Sequence, residues 1–282
     1  MARFAARFGI LAAAIFVVTR PTHAEPTAVA RGLVAHRAVY EMTLARRADR
    51  ADVASASGRL VYEFTGNACE GWSSRFRLVL SLANADGTAR VTDLRTTSFE
   101  DGDGRAFEFV NQNLVDGRTV EDTKGAARRD GDQTRATITA PAPRRVDLPK
   151  TARFPTEHMA AMIEAATAGQ SFAEIDLYDG SEGGGRYVRT AVVVGREQTG
   201  PDDTGAEPAA ASSLTEGRRR WPVEVSYFDP TKAAAGDTTP EYQLGFIVYD
   251  NGVSRRLSLD YGDFALAGRL TSLEPLPSSP CK

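Results

Sequence analysis

Apolar and polar residues alternate one for one along most of this chain, beginning with Val39-Tyr40-Glu41-Met42-Thr43-Leu44 and Leu60-Val61-Tyr62-Glu63-Phe64. A period of two puts successive side chains on opposite faces, which is what a half-buried β-strand requires. The same period returns at Arg75 to Leu82, Val91 to Phe99, Ala106 to Gln112, Thr119 to Glu121 and Ala136 to Thr139. It resumes at Phe172 to Tyr178, Arg186 to Val194, Val223 to Phe228, Tyr242 to Asp250, Val253 to Leu259 and Phe264 to Leu273. Several of these segments are separated by turn residues that tolerate positive φ: Asp86-Gly87, Asp101-Gly102-Asp103-Gly104, Asp116-Gly117, Asp130-Gly131 and Asn251-Gly252. Connections this short predict an all-β fold, a single large antiparallel meander of about fourteen strands. A twisted sheet of that size does not stay flat, so it is expected to curl into a spiral-like open barrel.

One segment breaks the period. Pro155 to Ala166 is rich in helix formers, with Thr156 as cap candidate and Gly169 beyond its end, and predicts one short helix near residues 156–168. Met159, Met162, Ile163 and Ala166 fall on one helical stripe, suited to covering or plugging the sheet. Gln198 to Gly217 has no apolar period; it is expected to be a mobile loop at 198–217 inside a single domain of residues 25–282.

The N-terminus has the layout of a secretory signal over residues 1–24. Arg3 and Arg7 precede the apolar run Phe8 to Val18, and Thr22-His23-Ala24 places small residues at the cleavage position. The run is shorter than the ~20 residues of a membrane-spanning helix, so a soluble mature chain starting near Glu25 is favoured over a retained anchor. Arg3 and Arg7 are not adjacent, which favours export of an unfolded chain. The chain has 2 cysteines, Cys69 and Cys281. In an oxidising compartment two such thiols are expected to pair. The alternatives are a buried free Cys69 with a reactive Cys281, or a bridge between two chains.

Composition and candidate chemistry narrow the function mainly by exclusion. The net charge of -3, with both signs interspersed, argues against a nucleic-acid surface. Only His36 and His158 remain beyond the signal, outside any metal-ligand spacing. Asp179-Gly180-Ser181-Glu182-Gly183 resembles a nucleophile elbow superficially, but a β meander surrounds it where a strand-to-helix turn is needed. Asp101 and Asp103 could face a calcium ion, yet the further ligands of an EF-hand are missing. Arg218-Arg219-Arg220-Trp221 could grip an anionic headgroup, against the plainer reading of a solvated strand entry. Glu100 and Asp103 are the carboxylate pair a glycan hydrolase would need. No cofactor or metal is expected.

Tyr62-Glu63-Phe64-Thr65-Gly66-Asn67-Ala68-Cys69, Phe154-Pro155-Thr156-Glu157-His158, Leu177-Tyr178-Asp179-Gly180-Ser181, Asn251-Gly252-Val253-Ser254 and Asp260-Tyr261-Gly262-Asp263-Phe264, with the terminal Cys281, resemble the EipB family of alphaproteobacterial envelope proteins. The resemblance runs from His36 to Cys281. It implies a periplasmic, non-enzymatic protein that supports cell-envelope integrity and stress resistance, folded as a spiral-like open β barrel. The family's cysteine pair carries over to Cys69 and Cys281, and no catalytic residue carries over. The spiral is also similar to half-barrel carriers of lipids and lipoproteins, a likeness of fold alone. The expected partner is therefore an unidentified periplasmic protein or envelope component, bound by a monomer. A carrier of a lipid or lipoprotein acyl chain is the alternative, and a glycan or peptidoglycan hydrolase has the least support.

Overall fold

A computed structural model describes residues 27–279 and 281; the expected signal at 1–24 lies outside the described residues. Fourteen strands form one antiparallel sheet. The first eight are β1 (His36–Arg47), β2 (Val53–Asn67), β3 (Gly71–Asn84), β4 (Ala89–Glu100), β5 (Ala106–Val115), β6 (Arg118–Asp130), β7 (Gln133–Ala140) and β8 (Arg144–Leu148). The rest are β9 (Phe172–Leu177), β10 (Val188–Val194), β11 (Arg220–Phe228), β12 (Tyr242–Tyr249), β13 (Ser254–Asp260) and β14 (Phe264–Pro275). The helices are α1 (Ala28–Gly32), α2 (Pro155–Thr167) and α3 (Pro230–Ala234).

Sequence order and spatial order differ in one way that sets the architecture. From β1 the chain meanders out to β8, α2 then carries it to the opposite edge, and β9 to β14 meander back until β14 pairs with β1. The sheet is open: β8 and β9 are its two edges. A strap after β8 reaches β9, where Arg153 bridges to Leu177, and Asn111 Nδ2 of β5 donates to the carbonyl of Gly180, just after β9, at 2.8 Å. The all-β curled sheet thus agrees with the alternation of the sequence. Two five-residue helices, α1 and α3, were not foreseen; each is too short to show a helical period.

The alternating pattern sorts side chains as expected. Ala38, Tyr40 and Met42 of β1, Leu60 and Phe64 of β2, and Trp72, Leu78 and Leu80 of β3 are buried. Trp221, Val223, Val225 and Tyr227 do the same for β11. Inside the curl, α2 supplies Met162, Ile163 and Ala166 to a cluster with Phe64, Trp72, Val192, Trp221 and Val248, and Met159 packs against it. The helix therefore plugs the curl. Fully burying side chains of this size contributes about 1.5–3 kcal/mol each, so α2 is held mainly by its stripe and not by its propensity.

Residues 198–217, expected as a mobile loop, are packed at several points. Glu207, Ala210 and Thr215 are buried, and the segment wedges between β13 and β14. Those strands pair only from Leu257 to Asp260. Where they part, Glu207 Oε1 accepts the Arg256 amide at 3.1 Å and the Leu270 amide at 2.8 Å. A carboxylate replaces the missing ladder, which is why an aperiodic, Pro- and Ala-containing stretch is nonetheless packed.

Candidate functional site

Cys69, Cys281 and Glu100 meet at one end of the curl, where the C-terminal tail, the β2–β3 hairpin and the start of α2 come together. Cys69 and Cys281 are joined there, with Cα atoms 5.6 Å apart across a separation of 212 residues. Asn67 organises the hairpin: its Oδ1 accepts the amides of Cys69 at 2.9 Å and Glu70 at 2.8 Å. The tail is held by Leu276, whose amide donates to the Ala35 carbonyl just before β1, and reaches the hairpin through Ser278, whose hydroxyl donates to the Gly66 carbonyl. Gly102 lies directly beneath. A Cβ added to it would stand 2.5 Å from the Cys69 carbonyl oxygen and 2.7 Å from that of Ala68, so only glycine lets the β4–β5 turn dock under the clamp.

Glu100, the last residue of β4, stands next to this turn and is 3% exposed. Its Oε1 accepts the Thr156 amide at 2.6 Å, while its Oε2 has no hydrogen-bond partner. Burial pushes the Glu100 carboxyl up to about 7, with the hydrogen bonds to Thr156 pulling the other way. Thr156 is thus not the cap proposed from the sequence. Phe154 occupies the cap position, Pro155 has no amide to satisfy, and the next amide is taken by Glu100 from across the fold. Glu157 completes the helix start: its Oε2 accepts the Phe154 amide at 3.0 Å. Arg129 of β6 grips the same carboxylate at 2.8 and 2.7 Å, and its guanidinium lies 4.3 Å over the Phe154 ring. Nothing in the sequence marks Arg129 or Glu207 as partners, because each acts over a long separation without a local motif, whereas Glu157 caps Phe154 from three residues away.

The other candidates, within this corner and outside it, are engaged in holding the fold. Asp101 Oδ1 accepts the amides of Arg105 and Ala106, as a hairpin turn requires, and no group of three metal-ligating side chains occurs among the described residues. Asp179 Oδ1 accepts the Ser181 amide at 2.9 Å, which makes a local turn. His158 Nε2 meets Thr190 Oγ1 at 2.8 Å, and that hydroxyl donates onward to the Ile175 carbonyl, so the ring nitrogen is the donor to it. His36 Nδ1 bonds the Val34 carbonyl.

The arginine run is likewise engaged. Arg218 faces Asp250, Arg219 pairs with Glu197 and lies 5.0 Å over the Trp221 ring, and Arg220 is buried beside Asp202. A grip on a headgroup would need these partners to be given up. Glu100, one of the carboxylates weighed for the least supported reading, a hydrolase, is buried against the helix start.

The deciding comparison is with a family model described as EipB-like, which matches residues 27–277. The chain belongs to the EipB-like family. The cell envelope integrity protein EipB of Brucella abortus (strain 2308) is 39% identical over 262 residues, covering 93% of this chain and 91% of that protein. A crystal structure of a beta-barrel-like protein of domain of unknown function DUF1849 from Brucella abortus superposes with a TM-score of 0.78 at 40% identity, over 87% of this chain and 99% of that one. The matched span takes in the curled sheet, α2 and the hairpin that bears Cys69.

Proposed function

We propose that this EipB-like chain supports cell-envelope integrity from the periplasm, acting by binding another protein or an envelope component and not by catalysis. The observation that carries this is its 39% identity, over nearly the whole of both chains, to a protein named for that role. The clamp between Cys69 and Cys281 fits an oxidising compartment, in keeping with the signal pattern at the N-terminus. The corner residues are in keeping with binding over turnover, because Glu100 through its Oε1, Glu157 and Arg129 hold the start of α2.

Deleting the gene from its native host and challenging the cells with detergent and with a β-lactam is the test. Lowered survival, restored by the wild-type gene, is the expected result; unchanged survival in both stresses overturns the proposal. An acyl-chain carrier would have to displace α2, whose Met162 and Ile163 occupy the curl. Mass spectrometry of gently purified protein tests that alternative, and a bound lipid at stoichiometric level would favour it.

A further inference from the structure

The two edges of the open sheet are not protected alike. β8 is five residues long and carries Arg144, Arg145 and Asp147, charges that discourage another strand from pairing with it. β9, Phe172-Ala173-Glu174-Ile175-Asp176-Leu177, has no such run. Its far end is occupied by the strap: the Arg153 amide donates to the Asp176 carbonyl at 2.7 Å, and the Tyr178 amide donates to the Arg153 carbonyl at 2.9 Å. Those bonds fix which backbone groups face the edge. With a period of two, Phe172 and Glu174 face it as well, and among the described residues no backbone or side-chain group bonds their amides or carbonyls.

The side chains around these unpaired groups describe a ligand. Phe172 and Val193 are cross-strand partners, 54% and 52% exposed, an apolar pair beside the open edge. Glu174 is exposed beside them, while Asp176 is already paired with Arg189 at 3.1 Å. A surface cleft of about 460 Å³ runs along the edge between Thr151, Arg153, Ala161 of α2, Glu174, Ile175, Asp176 and Arg189.

We propose that β9 is a strand-addition site, at which an extended segment of a partner protein pairs with Phe172 and Glu174. The segment places an apolar residue beside Phe172 and a basic one beside Glu174. A second copy of this chain is a poor occupant, because antiparallel self-pairing centred on Glu174 sets that carboxylate against its own copy. This deepens the reading of the chain as a binding module by naming the surface and the kind of partner.

The test uses the full mature protein and two eight-residue peptides, one with valine and lysine taking turns along one strand face and threonine along the other (Thr-Val-Thr-Lys repeated), and one with glutamate in place of lysine. The lysine peptide is expected to bind at least tenfold more tightly and to slow hydrogen exchange at the Phe172 and Glu174 amides. Glu174→Pro removes one edge-facing amide without touching the pairing of β9 to β10, and is expected to weaken binding at least tenfold at unchanged melting temperature. Should that variant fail to fold, Glu174→Lys keeps the amide and is expected to invert the preference between the two peptides.

Absence of lysine-peptide binding, binding that leaves both amides unprotected, or equal binding by Glu174→Pro overturns the proposal. So does protection of these amides in the protein alone together with dimer formation in sedimentation, which would assign the edge to a second copy. These outcomes are read in vitro and are separate from survival of the deletion strain, so either proposal can fail without the other.

Discussion

Arg255 and Glu207, 48 residues apart in sequence, form an ion pair at 3.0 Å in which the arginine side chain is 1% exposed and the glutamate 3%. The guanidinium also contacts Asp202 and donates from Nε to the Tyr249 hydroxyl oxygen at 2.9 Å. With Glu207 accepting two backbone amides besides, every member of the network has partners, and the splayed ends of β13 and β14 are held through it.

Removing one member of such a network leaves charges buried and unpaired, which costs more than the pair contributes. Arg255→Ala is therefore expected to destabilise by about 3–5 kcal/mol, because Glu207 loses its close counterion and Asp202 is left with Arg220 alone. Urea unfolding measures this. Limited proteolysis should at the same time find new cleavage within residues 198–217. A loss below about 1 kcal/mol would show that water replaces the guanidinium readily.

The sheet was legible in the sequence because its signal is local. Alternation in β1 to β5 and β10 to β14 reports burial on one face, and the stripe Met159, Met162, Ile163, Ala166 reports α2 as a plug. Pairing of β14 with β1, and the crossing of the open sheet by α2, left no local trace, since both join segments far apart in the chain. The site was less legible for the same reason. The cysteine pair stood out by composition, while Glu100 looked like half of a catalytic pair and is the cap of a helix 56 residues later. The glycines after Asp179 resembled a nucleophile elbow superficially. Gly180 is in fact pressed on Phe109, where a Cβ would meet the ring at 2.3 Å.

The clamp closes a loop of 212 residues, and loop-closure entropy assigns such a bridge roughly 5 kcal/mol as an upper guide. Reduction, verified by thiol labelling, is expected to lower the melting temperature by several degrees, given about 2–4 °C per kcal/mol at this chain length. The Cys69→Ser, Cys281→Ser double variant should melt with the reduced protein and not respond to reductant. Equal melting of oxidised and reduced protein would show that Ser278 and Leu276 hold the tail without the covalent link.

Ile163 is fully buried in the cluster that seats α2. Ile163→Ala leaves a cavity between the helix and the sheet and is expected to cost about 2–5 kcal/mol. Val193→Ala, at an exposed position of β10, serves as control and should stay within about 0.5 kcal/mol. Chemical denaturation of the two variants side by side decides this. Similar midpoints for both would mean that α2 is not an integral part of the core.

Two buried groups push stability with pH in opposite directions. Burial raises the Glu100 carboxyl from 4.5 to about 7, so the folded state holds its proton after the unfolded chain has released it. The contribution of Glu100 is complete below about pH 4.5 and is lost as pH rises through 7, a change on the order of 3 kcal/mol. Burial lowers His158 from 6.5 to about 4. Its contribution is complete above about pH 6.5 and is lost as pH falls through 4, because the unfolded chain then binds the proton first. Each slope can be isolated by difference. The stability of wild type minus that of Glu100→Gln should fall by about 3 kcal/mol between pH 4.5 and pH 8, whereas wild type minus His158→Asn should fall in the opposite direction, from pH 7 down to pH 4. Unfolding free energies from urea titrations across that range provide both differences. A flat Glu100 difference would mean that the carboxylate reaches solvent or a cation at the start of α2, and the helix cap would then be an ionised group throughout.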